Sequence, residues 1–179
     1  MAAWADMEAA LVAWLTESLG EGASVRWENQ PGPQESPALV SVLGRLRVLA
    51  LVPEEGTPVV RHAQDVSRPP SLRRETRHTT RAALTVRATV STDGRTTGPG
   101  CAMDRLSRAV VRLTLPGVAG ALGLVGLGVE GRGAVQDVTA LIGNQYQGRA
   151  TVDLRLAVRL TASELGAFVE SVRLTSTVH

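Results

Sequence analysis

Residues 148–161 constrain the fold more than any other part of the chain. Ala150, Val152, Leu154, Leu156, Val158 and Leu160 alternate there with Thr151, Asp153, Arg155, Arg159 and Thr161. Alternation of period two puts every apolar side chain on one face of a strand and every polar one on the other. A strand that is buried on one face and wet on the other belongs to an antiparallel sheet covered on a single side. The rest of the chain must then supply both neighbouring strands and a covering layer.

Helical spacing supplies the cover. Trp4, Met7, Leu11, Trp14, Leu15 and Leu19 fall at intervals of three and four, so Ala3–Leu19 reads as an amphipathic helix. Asp6 and Glu8 lie near its positive end, and Gly20 and Gly22 close it. A second helix runs from Cys101 to Thr114, with Met103, Leu106, Val110 and Leu113 as its buried stripe and Asp104 one turn from Arg108. Pro116 and Gly117 are expected to end it.

The strands follow from alternation. Ser24–Glu28 is short and runs into two prolines, Pro31 and Pro33. After Pro37 a long strand places Val40, Val42, Leu46 and Val48 on one face, with Ser41, Arg45 and Arg47 on the other. Another, within Leu72–Ser91, turns Ala82, Leu84, Val86, Ala88 and Val90 inward and Thr85, Arg87 and Thr89 outward. Asp93-Gly94 marks the turn after it. Leu124–Val129, Ala134–Ile142 and Phe168–Thr177 read as further strands. Residues 53–70 are polar and hold four prolines, so they read as a long loop, mobile like 29–37 and ordered on assembly. The expectation is one α+β domain over 1–179: a mainly antiparallel sheet of long strands with two principal helices packed on it.

Composition narrows the chemistry. Aromatics are 3%, so the core must be built from Val, Leu and Ala. The net charge of +2 argues against a general nucleic-acid binder, and all 19 basic residues are Arg, which forks onto carboxylates and suits protein interfaces. The basic segment Arg68–Arg81 lacks interleaved aromatics, which favours contact with an acidic protein over nucleic acid. The lone Cys101 excludes an intramolecular disulfide and fits synthesis in a cytoplasm; it reads as a small buried residue. The acidic start of the chain is unlike a signal peptide. The uncharged stretch Leu113–Val129 is short for a bilayer and broken by Pro116 and glycines, so no membrane partner is expected.

No catalytic constellation is visible. His62 and His78 have no Cys or acidic partner at metal-ligand spacing, and neither a G-x-S-x-G elbow nor a P-loop occurs. The glycine-rich run 117–133 follows a helix and precedes a strand, the reverse of a dinucleotide-binding turn. The expectation is therefore no enzyme, no metal and no cofactor.

Several segments in order carry a resemblance. An N-terminal helix and a strand lead to Trp27-Glu28-Asn29-Gln30-Pro31-Gly32-Pro33, then to Pro37 and a long strand. Val135-Gln136-Asp137-Val138-Thr139 follows much later, then Tyr146-Gln147-Gly148-Arg149-Ala150 before the alternating strand, and Phe168-Val169-Glu170-Ser171-Val172 near the close. This layout resembles the neck or tail terminator proteins of tailed bacteriophages, with Gln147 where that family often has an acid. The resemblance implies a structural virion protein at the top of the tail, made in the host cytoplasm. It implies a homo-oligomeric ring, commonly a hexamer, that caps the tail tube and meets the head–tail connector, with DNA only passing through its lumen. Arg45, Arg47, Arg155 and Arg159 are the candidate subunit contacts, and Trp27, Asn29 and Pro31 are expected to shape one interface loop. The alternatives are a head-completion or connector protein, the cap of a contractile injection system, or a small ligand-binding domain or enzyme.

Overall fold

The long alternating segments form the longest strands of one mixed, mostly antiparallel sheet. A computed structural model describes residues 4–28, 42–54, 59–64, 74–93, 98, 100–142 and 144–165. In chain order it holds α1 (Trp4–Leu19), β1 (Ala23–Trp27), β2 (Val42–Pro53), β3 (Val59–Gln64), β4 (Arg74–Asp93), α2 (Ala102–Arg112) and α3 (Pro116–Leu124). Then come β5 (Leu127–Arg132), β6 (Gln136–Asp137), β7 (Ala140–Ile142) and β8 (Gln145–Leu165). The class is α+β, as the alternation requires.

Strand order is β1-β2-β4-β8-β5, with β3 paired to β4 and both β6 and β7 to β8. β1 and β2 run parallel, from Ala23 opposite Val42 to Trp27 opposite Leu46. A parallel pair needs a crossover of about a dozen residues or more, and 28–41 has that length. β2 pairs antiparallel with β4, Val42 opposite Thr92 through to Pro53 opposite Ala82, and the register slips between Val48 and Ala50. Chain contacts divide the protein into two compact units, residues 1–53 with 82–158 and residues 54–81 with 159–179.

The described core lies in the first unit. Leu46, Leu84, Val86, Val90, Val152, Leu154 and Leu156 of the sheet are fully buried, as are Leu11, Leu15, Leu106 and Leu122 of the helices. Burying each such side chain contributes about 1.5–3 kcal/mol. α1 lies against β1 and β2 and touches α2 and α3, while α3 lies along β5. At Gly44 β1 and α1 leave no room for a side chain: a Cβ there would stand 2.8 Å from Val25 Cγ2, 3.1 Å from Leu19 Cδ1 and 3.2 Å from Leu15 Cδ2.

α2 is closed at both ends by side chains. Cys101 is buried as the N-cap, its Sγ accepting from the Asp104 N–H at 3.5 Å, and Asp104 Oδ2 accepts from the Gly100 N–H at 2.8 Å. At the other end Trp14 Nε1 donates to the Ala109 carbonyl at 3.1 Å and Arg132 Nη1 to that of Val110 at 3.3 Å. The Ala109 carbonyl is one that the last turn leaves without a helical partner, and that of Val110 also accepts from the Leu113 N–H at 3.3 Å. The expected Arg108–Asp104 pair is present at 3.0 Å.

Five expectations need correction. Among the described residues a third helix joins the two principal ones: Pro116 starts α3 where it was expected only to end α2, because proline at the first helical position gives up no hydrogen bond and presets φ. The strand expected from Leu124 therefore begins at Leu127, and Ala134–Ile142 is two short strands, not one. The loop expected over 53–70 contains β3, whose pairing with β4, Val59 opposite Thr79 through Gln64 opposite Arg74, satisfies its backbone. Trp4, expected on the buried face, is 40% exposed and donates to Glu8 Oε1 at 2.9 Å. The loop expected at 29–37 and the strand expected at 168–177 lie outside the described residues.

Candidate functional site

In the first unit the helices lie against the apolar side of the sheet, and the other side carries its polar set. Alternation decides the membership: Arg45 and Arg47 of β2, Thr85, Arg87, Thr89 and Ser91 of β4, and Arg149, Thr151, Asp153 and Arg155 of β8. Register then decides the neighbours. Arg45 stands between Arg26 of β1 and Thr89 of β4, and Arg47 stands opposite Arg87. Like charges opposed across strands repel, so this arrangement requires acids beside it.

The acids are present. Asp153 takes both arms of Arg87, Nε to Oδ1 at 2.7 Å and Nη2 to Oδ2 at 2.9 Å. Glu28 lies 3.7 Å from Arg47 and Glu130 3.3 Å from Arg155. The hydrogen bond from Arg87 holds the Asp153 carboxyl below the usual carboxylate range, and the same bond raises the Arg87 pKa. Thr89 and Thr151 bring their hydroxyls to 3.3 Å, and Thr151 Oγ1 also donates to the Ala88 carbonyl at 3.3 Å.

Between Arg45, Arg87, Thr89, Ser91, Arg149 and Thr151 the face sinks into an open depression of about 210 Å³, bordered by Glu28. Arg149 Nη2 donates to Gln147 Oε1 at 3.2 Å. Its Nε is buried and has no acceptor among the described residues. The depression thus combines two guanidinium groups that carry no ion pair among the described residues, Arg45 and Arg149, with three hydroxyls. It holds no nucleophile–base pair, and among the described residues no group of His, Cys, Asp and Glu could hold a metal. No described helix is long and apolar enough to cross a membrane.

A family model described as phage neck terminator protein matches residues 5–179. The chain belongs to that family. No curated protein matches it. A phage neck terminator protein is a structural component of the virion neck.

The residues expected at its interfaces are placed unequally. Arg45, Arg47 and Arg155 share the open face of the first unit. Arg159 is exposed and belongs to the second unit. Trp27 pairs in register with Leu46 and is buried like it, and its Nε1 has no acceptor among the described residues. Asn29 and Pro31 lie outside the described residues. Glu28, Arg87, Arg149 and Asp153 were not singled out as site residues. Their positions in the alternation were visible, but the register that brings them together is not written in any one segment.

Proposed function

We propose that this neck terminator protein assembles into a homo-oligomeric ring, commonly a hexamer in the family it resembled by sequence, which caps the tail tube and offers a docking surface to the head–tail connector. The observation that supports this is the open sheet face with Arg45, Arg47 and Arg155, a broad array of charge and hydroxyl groups suited to another protein surface. Arginine forks match carboxylates in planar, bidentate geometry, which sets register between subunits. The ring has no cofactor and no reaction to perform, and DNA passes through its lumen.

Electron microscopy of lysates from a phage lacking this gene tests the proposal. Overlong tail tubes lying apart from filled heads are the expected result. Tails of normal length beside leaking heads would move the protein to the connector side of the joint. Intact infectious particles would remove it from the neck pathway altogether.

A further inference from the structure

We propose that the depression between Arg45 and Arg149 seats a carboxylate from a second copy of this chain, delivered by the acidic outer face of that copy's α1. The inference rests on the ring reading above and names the contact that would build it. It starts from a charge census of the open face. Arg47, Arg87 and Arg155 each hold an acid of their own chain. Arg45 and Arg149 have no such acid among the described residues, and both line the same depression.

The chemistry of the depression selects the ligand. Arg149 keeps a buried Nε without an acceptor among the described residues, and an unmet donor on a charged group is costly. A small rotation of its guanidinium would present a fork to an incoming carboxylate, with Ser91 as a hydroxyl donor and Arg45 as the second cation. Glu28 at the rim and Asp153 nearby oppose a doubly charged group, so a singly charged carboxylate fits better than a phosphate.

The chain carries a complementary surface. From Trp4 to Val25 it holds Asp6, Glu8, Glu17 and Glu21 and no basic residue. The outward side of α1 bears Asp6, Ala5, Ala9, Ala13 and Glu17, all exposed, with Glu17 already paired to Arg112 at 3.8 Å and the exposed Glu21 just beyond the helix. Alanines leave that side smooth, so another layer can approach closely. Because α1 covers the apolar side of the sheet and the cationic set lies on the other, the contact joins unlike faces. Contacts of that kind repeat head to tail and close into a ring when the rotation permits.

Two blocked variants test this, one with Arg45→Glu on the sheet face and one with Asp6→Arg and Glu21→Arg on the helix face. Circular dichroism melts check that both fold, and sedimentation with and without purified tail tubes reads assembly. Each variant alone is expected to self-associate at least tenfold more weakly than wild type. Their equimolar mixture is expected to regain assembly, because each retains one intact face and the two reversed faces carry opposite charge. If R45E assembles normally, the carboxylate seat is wrong while the ring stands. If wild type forms no oligomer even on tubes, both readings fall. A mixture that stays monomeric overturns α1 as the source, and R45E rings that form normally but lose DNA binding would assign the depression to phosphate.

Discussion

Gly44 is the residue at which packing is least forgiving. Three side chains already crowd the place of its missing Cβ, and the nearest belongs to the stiff, β-branched Val25. Gly44→Ala should therefore lower stability by about 1–3 kcal/mol, the usual cost of overpacking, read by urea denaturation. A substitution that left stability unchanged would mean α1 can shift off β2 at little cost. Titration at single residues adds a pH dependence. Asp153 is held below the usual carboxylate range by Arg87, Asp104 chiefly by the Gly100 N–H, and Asp137 by the hydroxyl and N–H of Thr139. A carboxylate with a depressed folded-state pKa contributes stability above its unfolded value, about 3.9, and loses it as pH falls through the folded value. The melting midpoint should hold from pH 7 to 5 and drop below about pH 4. Asp153→Asn should cost at most about 1 kcal/mol at pH 7, since both side chains of the pair are nearly half exposed to solvent. The difference between the two proteins should shrink as the pH falls below about 4 and the wild-type carboxyl takes up its proton.

Among the elements, α2 depends most on others for its ends. Trp14→Phe keeps the ring in the core but leaves the Ala109 carbonyl without its indole partner, and should cost about 1–3 kcal/mol in a melt or denaturant titration. No loss would mean that water reaches that carbonyl. The same element shows what sequence reading can deliver. The two long helices and the inward sets of β2, β4 and β8 were legible because each repeats one period over many residues. α3 was not legible. Its glycines at 117, 120 and 123 each disfavour helix by about 1 kcal/mol relative to Ala, and the burial of Leu122 that supports the helix is a tertiary fact. β3 was hidden for a related reason: a strand of six residues between prolines signals itself only through its partner. The site was legible by half. Alternation pointed Arg45, Arg47 and Arg155 outward, but the meeting of Arg87 with Asp153 spans 66 residues and depends on strand order.

At the scale of the whole molecule, two kinds of surface compete to explain the proposed assembly, and salt separates them. One is the charged sheet face with its acidic counterpart on α1. The other is apolar: Leu124 is 88% exposed at the end of α3, and Leu115 just before it 47%. Ion pairs between exposed groups are screened as the Debye length shrinks from about 10 Å at 0.1 M salt to about 3 Å at 1 M. Apolar contact does not weaken in this way and strengthens in salting-out ions. The fold itself rests on a Leu, Val and Ala core, so its melting midpoint should change little over the same range. Sedimentation between 0.05 and 0.5 M NaCl is therefore expected to show assembly falling steeply while the monomer stays folded. Assembly that holds or grows with salt would shift the subunit contact from Arg45 and its neighbours to the α3 surface, and Leu124→Glu would then abolish it where Arg45→Glu did not.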